Sequence, residues 1–286
     1  MSPPIKLSWP ATRQFWEIPV LYEDDHLLAL NKPPLLLTSP VPHLPGQPSL
    51  MNLLHTGIAQ AKPWAKARGL AYLANAHRLD FEASGVLLLA RSRTVLIALA
   101  ELFGSEKPYR FYVALVHGAP QTAQFECDAK LGPDPSQPGR MRVDPARGKR
   151  SRSQFEVIER FVGYALVRCV PLTDRPHQVR VHLQRCGFPV VGDQLYGGHA
   201  LLLSTLKPNY RLKPNRTERP LIAQAAVHLE RIELPHPVTG APLSISAPWP
   251  KDLTVAVKYL RRFATPTSAA HSLPALPQQA QSDSEG

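Results

Sequence analysis

His77-Arg78-Leu79-Asp80-Phe81-Glu82-Ala83-Ser84-Gly85-Val86-Leu87-Leu88-Leu89-Ala90-Arg91 runs a polar loop carrying Asp80 straight into an apolar segment. Val86 to Ala90 has the length and composition of a buried strand. A carboxylate just ahead of such a strand is held rigidly yet can face a cleft, and Gly85 lets the backbone turn tightly between loop and strand. Rigid placement suits chemistry. An aspartate before a strand also serves as a turn former or as the partner of a nearby arginine, and this stretch alone does not choose among the three.

The chain of 286 residues is long enough to bury a large core, and one domain spanning residues 15–263 is expected, with a loose leader over 1–14 and a disordered tail over 264–286. A net charge of +11 predicts attraction to a polyanion, so nucleic acid leads as the partner class. No apolar run is long enough for a spanning helix, and residues 1–10 carry Lys6 without a signal-like stretch, so no membrane association and a cytoplasmic location are expected. Cys127, Cys169 and Cys186 lack the paired spacing of a zinc site or the density of a disulfide scaffold, and are expected to be buried thiols. His177 and His182, five apart, fall off a shared helical face, so no metal is predicted.

Two hydrophobic runs between Ile18 and Lys32 flank Glu23-Asp24-Asp25-His26, the pattern of a strand pair closed by a polar turn, and Pro33-Pro34 ends the second strand. Residues 38–48 read as a proline-rich loop, and Leu50 to Arg68 carry a weaker helical pattern. Ser92 or Thr94 can cap a helix through Phe103, with Val95, Leu96, Leu99 and Phe103 on its apolar side. Tyr109 to His117 is a strand in which Tyr112, taken alone, reads as a core aromatic.

Residues 132–152 form a loop in which Arg140, Arg142, Arg147, Lys149, Arg150 and Arg152 crowd around Asp144. Such a run is a solvated surface or, in a basic protein, a phosphate-contacting arm. Phe155 to Arg160 and Tyr164 to Val170 alternate about Gly163 and predict an antiparallel hairpin. A basic loop over His199 to Pro220 follows, then strands over Ala226 to Leu234 and Leu243 to Ser246. The last helix is expected from about Asp252 to Phe263, with Leu253, Ala256, Val257 and Leu260 inward.

A second signal is Leu172-Thr173-Asp174-Arg175-Pro176-His177-Gln178-Val179-Arg180-Val181-His182-Leu183, continuing to Gly192-Asp193-Gln194-Leu195-Tyr196-Gly197. Thr173 or Asp174 can cap a helix with Pro176 in its first turn, Val179, Leu183 and Cys186 giving an apolar face up to Gly187 and Arg180 sharing another side with Gln184.

Taken together, HRLD followed by Ser-Gly and a hydrophobic strand, Thr-x-Arg-x-His-Gln-x-Arg-x-His with Gly-Asp-x-x-Tyr-Gly, Tyr22 to Pro33, and Arg110 to Gly118 resemble the motifs of the RluA-type pseudouridine synthases, over roughly residues 17–262. Arg110 stands where the family usually has lysine, Ala83 where threonine is common, and Asp174 where glycine is usual. The aspartate adds bulk and negative charge beside a site expected to meet RNA, although it tolerates unusual backbone angles.

The resemblance implies an α+β catalytic domain: a mixed, largely antiparallel central sheet with flanking helices and an RNA-binding cleft, without an appended amino-terminal RNA-binding module. The implied reaction isomerises uridine within ribosomal or transfer RNA and needs no cofactor. Asp80 is its essential carboxylate, attacking the ribose or the base, or acting as a base on a glycal route. Arg180 pairs with Asp80 and keeps it ionised, and Tyr112 stacks on the uracil and removes the C5 proton. Arg78 fills the space that the flipped uridine vacates, or forms a structural salt bridge. RNA contacts are expected from His77, Arg78, Arg110, Arg175, His177 and Gln178, and from Arg150 and Arg152 on the basic arm. A monomer is expected. Two other readings remain at this point: a catalytically silent RNA-binding protein of the same fold, and a glycoside hydrolase, which needs a second acid near the cleft.

Overall fold

The computed structural model describes residues 2–105, 108–212 and 216–266. Strand β1 (Ile5–Trp9) pairs antiparallel with β2 (Gln14–Ile18), and β3 (Val20–Glu23) with β4 (Leu27–Lys32). Helices α1 (Leu50–Ala59) and α2 (Pro63–Lys66) precede the two-residue strand β5 (Ala74–Asn75) and β6 (Ser84–Ala90). Then come α3 (Arg93–Gly104), β7 (Tyr109–His117), β8 (Gln124–Asp128), and the short pair β9 (Leu131–Pro133) and β10 (Met141–Val143). The chain continues through β11 (Arg152–Phe161), β12 (Tyr164–Pro171), α4 (Gln178–Arg185), β13 (Val227–Pro235), β14 (Pro242–Ser246) and α5 (Lys251–Phe263).

Ten strands make one sheet in the order β3-β4-β6-β13-β7-β12-β11-β8, with β14 added to β13 and β5 to β6. Among the described residues only β6 and β13 pair in parallel within this sheet, so the sheet is mixed and largely antiparallel, as expected.

All seven residues of β6 are buried because both faces of the sheet are covered there. Val86, Leu88 and Ala90 enter the larger apolar cluster, while Leu87 and Leu89 enter a second one with α1. Neighbouring β4 splits the same way, Leu27 and Ala29 to one side and Leu28 and Leu30 to the other. A run without polar alternation is what two covered faces demand.

Ser92 caps α3 by accepting from the Val95 amide, and Ser49 caps α1 by accepting from Asn52. The inward residues of α5 are the four expected ones, Leu253, Ala256, Val257 and Leu260.

Three expectations give way. Residues 1–14 are not a loose leader: Ile5 and Leu7 of β1 are buried with Ile18 against Leu50, Met51 and Leu54 of α1. The alternation Ile5-Lys6-Leu7 is too short to register as a strand, yet three apolar side chains suffice to dock the hairpin. Residues 132–152 are a folded arm rather than an open loop, because β9 and β10 pair and Asp134 and Asp144 close its turns through Ser136 and Arg147 amides. Finally, α4 begins at Gln178, and neither Thr173 nor Asp174 caps it. His177 occupies the capping position in the left-handed region at φ 54°, leaving 172–177 as irregular chain. Of the expected tail, Ala264 is packed into the core, Thr265 and Pro266 are exposed, and residues 267–286 lie outside the described residues.

Cys127 and Cys169 are buried and Cys186 partly so. Among the described residues no helix is long and apolar enough to cross a membrane.

Candidate active site

Thr38 fixes the loop ahead of β6 by donating to the Leu79 carbonyl and accepting from the Leu79 amide, at 3.0 and 3.1 Å. The loop alternates: His77 and Leu79 point inward, Arg78 is exposed, and Asp80 is 23% exposed. Tyr112 comes from β7, and His177 and Arg180 from the start of α4. A cavity of about 170 Å³ is lined by Arg78, Asp80, Arg110, Tyr112, His177 and Arg180, which brings together the three expected catalytic side chains.

Arg180 is 1% exposed and surrounded by carboxylates. Its Nε and Nη2 donate to the two oxygens of Asp193 at 2.7 and 2.8 Å. Nη1 donates to Glu82 at 2.9 Å and reaches Asp80 at 3.4 Å. The Tyr196 ring lies 5.0 Å from the guanidinium carbon. Burial works against the Arg180 charge, but Asp193, Asp80 and Glu82 more than offset it and raise the pKa.

Burial alone raises the Asp80 carboxyl. His177, whose Nε2 stands 3.9 Å away, and Arg180 outweigh it, so the carboxyl lies below the usual carboxylate range. Asp80 therefore stays ionised at neutral pH despite its enclosure. Burial pushes the Tyr112 hydroxyl well up, so the phenol is neutral.

Lys32, wholly buried at the end of β4, donates to the Pro33 and Leu36 carbonyls at 2.9 and 2.7 Å. Burial pulls its ammonium down to about 7, while Asp80 and Glu82 pull the other way.

The expected RNA contacts separate into two groups. Arg78 lies exposed on the cavity rim and makes no ion pair among the described residues. His177 is in the cavity with Nδ1 2.8 Å from the Tyr196 hydroxyl. Arg110 and Arg175 also line it, Arg110 bonded to Asp174 at 2.8 Å. Arg150 is exposed on the arm, and Arg152 pairs with Glu126 at 2.6 Å.

The other two, His77 and Gln178, also bond within the fold, and of these Gln178 lines the cavity while His77 does not. The His77 ring is turned inward, with Nε2 accepting from the Leu88 amide at 3.1 Å and the face 5.4 Å from Phe103. The Gln178 side chain accepts from Thr173 and donates to the Arg152 carbonyl and Ser153 hydroxyl, tying α4 to β11.

Sequence reasoning missed Asp193, Glu82, Lys32 and Tyr196. Asp193 and Tyr196 lie in the Gly-Asp-x-x-Tyr-Gly segment and Lys32 in Asn-Lys-Pro-Pro, so the motifs were visible while the partners were not.

The chain matches the RNA pseudouridylate synthase family over residues 26–185. It is 34% identical over 243 residues to the ribosomal large subunit pseudouridine synthase C of Salmonella typhi, covering 85% of this chain and 70% of that protein. Against the ribosomal large subunit pseudouridine synthase D of Xylella fastidiosa it is 33% identical over 248 residues, covering 85% and 69%. Its fold is similar to that of human RNA pseudouridylate synthase domain containing 4, with a TM-score of 0.62 at 23% identity over 85% of this chain and 92% of that one. The sequence match and the shared architecture place the chain in the RNA pseudouridylate synthase family, whose members are isomerases acting on RNA.

Proposed function

We propose that this protein converts a uridine of ribosomal large-subunit RNA to pseudouridine, with Asp80 as the essential carboxylate. The observation that carries the assignment is Asp80 itself: ionised, partly exposed and facing a small cavity between Tyr112 and Arg180. The ribosomal RNA substrate rests on the names of the related synthases.

In this reaction the bond from uracil N1 to ribose C1′ breaks, the base turns, and C5 joins C1′. C5 then loses a proton and N1 gains one. A small enclosed cavity keeps the detached base beside its sugar through the turn. Asp80 acts at the ribose, at the base or as a proton acceptor. Tyr112 supplies a flat surface for the uracil. His177 and Arg180 hold Asp80 charged, and Arg78 on the rim is placed to occupy the gap left in the RNA stack. The enzyme works as a monomer in the cytoplasm without metal or cofactor.

A hydrolytic reading needs a second acid. Of the nearby acids, Glu82 is bonded to Arg180 and does not line the cavity, and Asp174, which does, is paired with Arg110.

The test is carbodiimide-dependent primer extension on ribosomal RNA from cells lacking this chain, complemented with wild type or Asp80→Asn. Wild type should restore a discrete pseudouridine and Asp80→Asn should not, while binding RNA as before. Restoration by Asp80→Asn would overturn the catalytic assignment; release of free uracil by purified wild type would favour hydrolysis.

A further inference from the structure

A second hollow of about 490 Å³ adjoins the uridine cavity, within the range of small-ligand sites. The two share Arg110, Thr173, Asp174 and Arg175 as a common wall, and Phe103 and Pro108 line the far side. We propose that this hollow receives the base of the nucleotide next to the target uridine and that Asp174 selects guanine there. The proposal rests on the reading of the first cavity as the uridine site.

Asp174 is 63% exposed and uses one oxygen to bind Arg110 Nη1 at 2.8 Å. Arg110 is held flat, 7% exposed, with Nη2 donating to the Thr173 carbonyl and its guanidinium 6.0 Å from the Phe103 ring. The Nε donors of Arg110 and Arg175 are buried and find no acceptor among the described residues. Both Nε atoms are closed off from solvent, so what the wall offers a ligand is the exposed Asp174 carboxylate, anchored by Arg110, with the Arg175 side chain beside it.

A phosphate in the hollow would face the exposed Asp174 carboxylate and be repelled by it. A base carries acceptors and donors together. Guanine alone among the four presents two adjacent donors, N1–H and N2–H, matching the two oxygens of a carboxylate, while its O6 and N7 accept from arginine. Planar arginine and phenylalanine surfaces suit an unstacked base.

The test uses a short RNA carrying the mapped target, with each of the four nucleotides placed in turn immediately 5′ and 3′ of the uridine. kcat/KM is measured for wild type, Asp174→Asn and Asp174→Gly. Wild type should favour guanine at one of the two positions by about tenfold or more, the discrimination carried by a bond to a charged group. Both variants should bring the four nucleotides within about twofold of one another at that position, as expected when the charged acceptor is gone. No preference in wild type, or one that survives both variants, overturns the proposal. So does a uniform change across all substrates, which would show Asp174 acting only by masking the Arg110 charge. If wild type forms no pseudouridine in any RNA, the reading of the first cavity fails and this inference falls with it.

Discussion

Arg180 gives two of its donors to Asp193, at 2.7 and 2.8 Å, and meets Asp80 only at 3.4 Å. The pair fixes the guanidinium plane, and Asp80 reads that plane from the side. Asp193 is thus a positioning residue that touches no substrate. Asp193→Asn keeps the shape but removes one acceptor and the charge, letting Arg180 rotate toward Glu82 and Asp80. A displacement of that kind costs roughly 10²-fold in turnover. The expected result is a kcat loss of that order with KM and RNA affinity nearly unchanged. An equal loss in RNA affinity would make Asp193 a structural residue only.

Tyr112 can be divided by two substitutions. Tyr112→Phe keeps the ring that stacks on uracil and removes only the hydroxyl, which burial keeps neutral. A neutral phenol is a weak proton acceptor, so Tyr112→Phe should keep most of its turnover and its RNA affinity, whereas loss of the about 10²–10⁴-fold that a positioned acceptor contributes would assign the C5 proton to the hydroxyl. Tyr112→Ala should lose both. Full turnover by Tyr112→Phe would confine the tyrosine to stacking.

His77 makes the fold sensitive to acid. Burial, aided by Arg110, lowers its pKa from 6.5 to about 4, because the neutral ring must keep Nε2 free to accept from Leu88. Between those values the unfolded chain takes up a proton that the folded one refuses, so stability present above 6.5 is lost as pH falls toward 4. The loss is of the order of 3 kcal/mol. Urea midpoints for wild type should drop across that window, and those for His77→Gln should drop less. Parallel curves would remove His77 as the cause.

The apolar run of β6, the cap of α3, the hairpin around Gly163 and the inward face of α5 were legible because each is settled by neighbours within a few residues. The motifs also pointed to Asp80, Tyr112 and Arg180, which the fold brings to one cavity. Pairing was not legible. Asp193 reaches Arg180 across a loop with no periodicity, and Glu82 reaches it from 98 residues away. Inward or outward direction inside a motif was equally hidden: His77 and Arg78 are adjacent polar residues, and only the alternation of the loop puts one in the core and the other on the rim. The start of α4 was misread because Thr173, a good cap by type, instead bonds the Gln178 side chain and the Arg152 amide.

The arm holding β9 and β10 should contribute affinity without selectivity. Arg140 and Arg142 are paired with Asp134 and Asp144, and Arg152 with Glu126, while exposed Arg147, Lys149 and Arg150 make no ion pairs among the described residues. Each phosphate contact with single-stranded RNA adds about 0.7 to the slope of log affinity against log salt. Replacing the three unpaired cations by alanine should reduce that slope by about 2, alike for all RNA sequences. An unchanged slope would take the arm off the RNA.

Gly85 decides whether Asp80 is held at all. It sits at φ 119°, where side chains are rarely tolerated, and a Cβ there would collide with the Leu229 backbone of β13. Leu229 is its register partner in the parallel pairing of β6 with β13, and a backbone oxygen cannot swing aside as a flexible side chain can. Gly85→Ala therefore has to part β6 from β13 or twist the loop carrying Asp80. Strain of this kind costs of the order of 3 kcal/mol. Gly104, at the end of α3, meets nothing within 4 Å and has no unusual φ. Gly104→Ala should leave stability level or raise it by up to about 1 kcal/mol, through helix propensity alone. Thermal unfolding of the two variants side by side separates a glycine required by close backbone approach from one that is merely present, and equal midpoints would show that β6 can yield at Gly85.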